Sequence, residues 1–276
     1  MVDIVFIKAT VGVGAFVSGI DLGVKLNEEE KVKLKEALLQ YQVLFFRDQD
    51  ISAENQLDLA LLFGDPVSHP AYPHVEGFPE INILINDKEN PSKIEKWHTD
   101  MTFMECPPMG SILKADTIPP CGGDTLFSSM SAAYQGLSDK MQQFLSGLTA
   151  THDFAYGFRE SLEEPGGRIR LADAIRSFPP IEHPVIRTHP ETGQKGIFVN
   201  GLFTRCIKGM SDKESSAILS MLYEHVTEPE YTCRFCWEEN SIAFWDNRIT
   251  QHKPVNDYFP DYRKMRRVTI KGDRPV

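Results

Sequence analysis

Lys96-Trp97-His98-Thr99-Asp100 is the stretch on which the reading of this chain turns. His-x-Asp at the end of a strand puts an imidazole and a carboxylate on one face, two residues apart. Those ligand types suit a divalent first-row metal. One distant histidine would complete a two-histidine, one-carboxylate facial triad with open coordination positions. The candidate is His252, in Trp245-Asp246-Asn247-Arg248-Ile249-Thr250-Gln251-His252, just beyond the strand-like run Ile242 to Trp245. Arg263 follows, then Arg267. A guanidinium grips carboxylate or sulfonate through two parallel hydrogen bonds and stays charged when buried. Each feature also has a plainer reading. A lone His-x-Asp is common as a surface hydrogen-bonded pair, and Arg263, Lys264, Arg266 and Arg267 together could form a solvated strand face.

Outward from this stretch the chain is mainly β. Ile4 to Ile7 and Gly14 to Gly19 read as strands, and Val43-Leu44-Phe45-Phe46 as a short buried one. Two helices lie between and after them. The first spans roughly 27–41, opened by Asn27 and the acids Glu28, Glu29 and Glu30; the second runs from Ser52 to Phe63, with Gly64 past its end. Beyond Gly64, short apolar runs alternate with Pro and Gly turns: Ile81 to Ile85, Gly110 to Leu113, Thr125 to Phe127, Ile197 to Val199, Ser241 to Trp245 and Arg267 to Ile270. Helices are expected from Ser131 to Leu148 and from Ser211 to Val226, the latter with Glu214 placed to close a capping box. The span 155–180 is charged and rich in Gly and Pro, and reads as a long irregular loop of the kind that forms lids. Many short strands with a few helices fit one jelly-roll domain over residues 1–276, although spacing alone leaves another sandwich open.

The net charge is −10 over 276 residues, a poor match to nucleic acid or to an anionic membrane surface. An anionic substrate would therefore need a local arginine cluster. No run of about 18 apolar residues suggests a membrane span. The start lacks the basic and apolar regions of a secretory signal. The five cysteines, Cys106, Cys121, Cys206, Cys233 and Cys236, are expected as reduced thiols in a cytoplasmic protein. Cys233 and Cys236 have CxxC spacing, but no second pair accompanies them. Their segment reads as a strand, on which residues three apart face opposite sides.

Taken together, these motifs resemble the taurine/2-oxoglutarate dioxygenases, the iron(II)- and 2-oxoglutarate-dependent oxygenases built on the double-stranded β-helix or jelly roll. The resemblance covers nearly all of the chain. It is densest at Trp97-His98-Thr99-Asp100, Gly122-Gly123-Asp124-Thr125, His183-Pro184-Val185, Arg187-Thr188-His189-Pro190, Phe198-Val199-Asn200, Trp245-Asp246-Asn247-Arg248 with Gln251-His252, and Arg266-Arg267-Val268-Thr269-Ile270 with Gly272-Asp273. It implies Fe(II) held by His98, Asp100 and His252. It implies 2-oxoglutarate held by Thr125 and Arg263, with O2 as oxidant. The implied reaction hydroxylates a small molecule while 2-oxoglutarate becomes succinate and CO2. Family membership also implies a homodimer or homotetramer.

Within that family the chain is similar to the enzymes that act on taurine. His69 and Arg267 match the residues that hold the sulfonate, Tyr72 a pocket residue near the amine, and Phe158 and Phe203 the aromatic walls. Hydroxylation at the carbon bearing sulfonate would release sulfite and an aldehyde. One position departs: where the family pattern has an asparagine for the amine, this chain has Ile94, which cannot hydrogen-bond an ammonium. Asn86, Glu95 or a water would have to replace it, or the natural substrate lacks the amine. A sulfate ester or an aryloxy acid are alternatives within the same chemistry. A non-catalytic 2-oxoglutarate-binding homologue and a lectin-like jelly roll are alternatives outside it.

Overall fold

The computed structural model describes residues 3–68 and 72–276. Val43–Phe46 is apolar at every position because both faces of its sheet are covered. Val43 and Phe45 point into one core, Leu44 and Phe46 into another. The sheet they belong to is the larger of the two that make the sandwich. Its strand order is Val5–Lys8, Ala15–Ser18, Val43–Phe46, Ile242–Asp246, Gly110–Thr117, Arg263–Ile270, Phe78–Asn86 and His74–Val75, with Pro66–Val67 also paired to Arg263–Ile270. All pairings are antiparallel except that of Ala15–Ser18 with Val43–Phe46. A smaller sheet of Thr232–Phe235, Thr125–Ser129 and Thr250–Pro254 packs on its inner face. Phe45 of the large sheet stacks on Phe235 of the small one, with ring centroids 4.3 Å apart. Two packed, mainly antiparallel sheets with helices outside make this the jelly roll expected from the sequence.

Period-two alternation explains which side chains reach the site. Leu113, Ala115, Ala243, Trp245 and Met265 enter the inner core with Phe127 and Phe235. Their neighbours Ile112, Ile242, Phe244, Val268 and Ile270 face outward, under Leu34 and Leu38 of the helix Glu28–Tyr41 and Leu59 and Ala60 of the helix Ala53–Leu61. Both helices open with complete capping boxes, Asn27 with Glu30 and Ser52 with Asn55. The helix Asp212–His225 does the same with Ser211 and Glu214, as its sequence predicts.

Two expectations are corrected. The helical stretch from Ser131 is two helices, Met130–Gly136 and Asp139–Leu145, because Ser138 caps the second and interrupts the first. The span 155–180 is not an irregular loop. It contains four helical turns, Phe154–Gly157, Arg159–Glu163, Gly167–Arg170 and Ala172–Ser177. Gly166, at φ +74°, separates the second from the third. The helical backbone bonds itself while Phe154, Phe158, Leu171, Ile175 and Phe178 pack into an aromatic cluster with Phe103, Leu202 and Phe203.

Candidate active site

His98 and His252 meet across an antiparallel bridge. The His98 amide donates to the His252 carbonyl at 3.0 Å, and the His252 amide returns a bond to His98 at 2.8 Å. The expected strand does not continue to Asp100. After His98 the chain enters a turn, with Met101 at φ +52°, and that turn carries the carboxylate back toward the two rings. Asp100 Oδ1 lies 3.5 Å from His98 Nε2 and 3.9 Å from His252 Nε2. Donor atoms of all three buried residues lie within 4.8 Å of one another, the one cluster of this kind among the described residues.

His98 Nδ1 lies 2.8 Å from the Lys96 carbonyl. A carbonyl only accepts, so Nδ1 carries the proton and the Nε2 lone pair faces the cluster. Burial raises the Asp100 carboxyl, but His252, His98 and Arg267 outweigh it and hold the group well below the usual carboxylate range. Burial, with His98 alongside, pushes His252 down to about 3. The cluster thus offers an anion and neutral imidazole at neutral pH. These are the donor forms a divalent metal needs, so the residues fit the metal.

The cluster opens into a cavity of about 1070 Å³. Arg263 and Arg267 reach it from one face of the strand Arg263–Ile270, about 13 Å apart along the backbone. Arg263 is only 7% exposed. Its guanidinium sits 5.9 Å from the Trp237 ring centre and 5.8 Å from that of Tyr258. Its Nε is buried without a partner. Thr125 lines the same end, its Oγ1 accepting from Trp237 Nε1 at 2.9 Å. A buried cation with an unused donor fits the far carboxylate of a dicarboxylic acid. Trp237 and Tyr258, which build this end, were not singled out in the sequence; each reads there as an ordinary core aromatic.

Arg267 Nη1 is 3.8 Å from Asp100 Oδ2, and its guanidinium carbon lies 5.5 Å from the Tyr72 ring centre. Its Nε too is buried and unpartnered. Tyr72, Ile94, Phe158, Leu202 and Glu95 line the same cavity, and so does Asn86, which is paired in the sheet with Arg263. Phe203 does not. It stands behind Phe158, with ring centroids 6.1 Å apart, and supports the wall from the aromatic cluster. His69 lies outside the described residues. Lys93 and Glu164, both at the cavity, pair at 2.6 Å and join the segment before His98 to the short helices. The CxxC pair is divided between two faces. Cys233 is buried in the inner core with its thiol pushed up to about 12, while Cys236 is exposed and 3.2 Å from an Asp124 oxygen.

A jelly roll with a His-Asp-His cluster beside a buried arginine has the make-up of the iron- and 2-oxoglutarate-dependent oxygenases. Residues 7–269 match the family described as "Taurine catabolism dioxygenase TauD, TfdA family", and the chain belongs to that family. It is an enzyme, a 2-oxoglutarate-dependent dioxygenase whose cofactors are Fe(II), 2-oxoglutarate and O2. The chain is 38% identical to an alkylsulfatase of Acinetobacter baylyi, over 96% of this chain and 84% of the relative. It is 36% identical to an alpha-ketoglutarate-dependent sulfate ester dioxygenase of Pseudomonas putida, over 96% and 88%. A crystal structure of a taurine dioxygenase from Burkholderia xenovorans superposes with a TM-score of 0.85 at 37% identity, covering 99% of this chain and 91% of that one. No helix among the described residues is long and apolar enough to cross a membrane.

Proposed function

We propose that this dioxygenase hydroxylates a primary alkyl sulfate ester at the carbon bearing the sulfate. The observation that carries the reading is Arg267, a half-buried cation 3.8 Å from Asp100 that shares the cavity with the apolar side chains of Ile94, Phe158 and Leu202. His98, Asp100 and His252 would hold the metal, and Arg263 with Thr125 the far carboxylate of 2-oxoglutarate. Arg267, with His69, would hold the sulfate. Ile94, Phe158 and Leu202 would take the alkyl chain and keep water from the reacting carbon. Bound iron, 2-oxoglutarate and O2 supply the oxidising power, 2-oxoglutarate leaving as succinate and CO2. A hydroxyl on the ester carbon makes a hemiacetal sulfate. Its hydroxyl proton and C–O bond are then lost together, leaving an aldehyde and bisulfate.

Names of relatives support the ester, since two of them are an alkylsulfatase and a sulfate ester dioxygenase. Alkanesulfonates, taurine among them, are the second reading. It is favoured by the same anion site and by the taurine dioxygenase neighbour. Purified protein with Fe(II), 2-oxoglutarate and ascorbate should convert hexyl sulfate to hexanal and sulfate in equal amounts with succinate, with hexanesulfonate next and taurine slowest. Fastest turnover on taurine, with sulfite released, would overturn the ester reading.

Ile94 decides the amine question. Ile94→Asn should raise kcat/KM for taurine relative to hexyl sulfate by about tenfold, the worth of one hydrogen bond to a charged group at about 1.5 kcal/mol. Competition between the two substrates, read as sulfite against sulfate, measures it. An unchanged ratio would show that residue 94 does not face the substrate.

A further inference from the structure

We infer that Asn247 is the positioning residue that sets Asp100 in the metal cluster. Its side chain is 0% exposed and every polar atom on it is used. Oδ1 accepts from the Asp100 amide at 2.8 Å. Nδ2 donates to the Asp100 carbonyl at 3.1 Å and to the Pro108 carbonyl at 3.1 Å. Both backbone groups of Asp100 thus close on one side chain 147 residues away in sequence. The carboxylate, by contrast, has only long contacts: Ser111 Oγ at 3.5 Å, Arg267 at 3.8 Å, and the two histidines. Its place is therefore set through its backbone, within a turn whose next residue has a left-handed φ.

Asn247 is itself held rigidly. The Asn247 amide donates to the Met109 carbonyl at 2.8 Å. On one side Asp246 accepts two bonds from the Arg248 guanidinium, at 2.9 and 2.6 Å, and lies 3.0 Å from His189 Nε2. On the other, Thr250 Oγ1 donates to the Asp246 carbonyl at 2.7 Å. The strand that follows this turn carries His252. One turn therefore fixes two of the three cluster residues: His252 by continuity of the chain, and Asp100 through Asn247.

The inference rests on the metal assignment to His98, Asp100 and His252, and the test separates the two. Mn(II) binding to the full-length protein is followed by electron paramagnetic resonance, with turnover measured at low and saturating Fe(II). Asn247→Ala and the milder Asn247→Ser should weaken Mn(II) binding by about 10- to 100-fold, as loss of outer partners of metal ligands does. Saturating Fe(II) should recover most of the turnover. Thr99→Val is the control, because it removes a neighbouring buried bond, Thr99 Oγ1 to the Thr250 carbonyl at 2.9 Å, and no hydrogen bond to Asp100. It should lose comparable thermal stability and keep its Mn(II) affinity. Folded Asn247 variants with wild-type affinity, or a control that loses as much, would overturn the inference. Asp100→Ala binding Mn(II) like wild type would remove the metal assignment and the inference with it.

Discussion

Asp100→Ala should lower hydroxylation and the accompanying succinate formation by at least about 10³-fold, the scale of losing an essential member of a catalytic unit. Asp100 is the one carboxylate of the cluster, and it faces two imidazoles and Arg267. At 3.8 Å its attraction for Arg267 alone is about 4 kcal/mol at an effective dielectric constant of about 20. Without it, a divalent cation would enter a buried site holding two neutral donors and an uncompensated guanidinium. Asp100→Asn keeps the shape and loses the charge, so it should fall nearly as far. Saturating Fe(II) should not rescue either variant, which distinguishes them from variants at Asn247. Mn(II) titration and succinate assays on folded protein check this. An Asp100→Ala protein that still makes succinate at a near wild-type rate would mean the cluster is not the metal site.

The sequence made the fold legible where alternation and caps act locally. Val43–Phe46 and Ile242–Asp246 are mostly apolar runs with turn residues around them, and Ser211 with Glu214 announces a helix. Other strands were illegible for a physical reason. Thr149–His152 and Ile181–Pro184 are short, mixed in polarity and stabilised by pairing with each other. Their side chains carry no two-residue pattern strong enough to compete with loop readings. The helical turns in 154–177 were hidden similarly, because each is four to six residues long and Gly and Pro lie between them. At the site, residue types and order carried much of the reading, since Thr125, Arg263, Arg267 and the His-Asp-His set converge on one cavity. The route to that convergence did not show. Strand alternation was the expected cause of the His98–Asp100 pairing, whereas a bridge to His252 and a turn at Met101 produce it. Asn247 stood in a quoted motif without a role, because its partners are backbone groups that no residue pattern names.

Arg267 carries the other large effect. Arg267→Met should lower kcat/KM for hexyl sulfate by about 10²- to 10³-fold, the usual result of removing one partner of a buried, hydrogen-bonded charge pair. The KM for 2-oxoglutarate should stay within a few-fold of wild type, because Arg263 lies about 13 Å away along the same strand and has its own surroundings of Trp237 and Tyr258. Arg267→Lys should recover only part of the loss: an ammonium is a point charge and cannot match two sulfate oxygens with a planar fork. Arg263→Met should give the converse, a large rise in the KM for 2-oxoglutarate whichever substrate is present. A rival role for Arg267 is to balance Asp100 alone, given their 3.8 Å separation. That role makes a different forecast. Removing a cation beside the cluster would tighten Mn(II) binding and leave the KM for alkyl sulfate unchanged. Steady-state kinetics on both ligands, with Mn(II) titration on the same variants, therefore separates an anion anchor from a counter-ion. A hexyl sulfate KM indifferent to Arg267 would also leave the alkyl sulfate assignment without the residue that supports it.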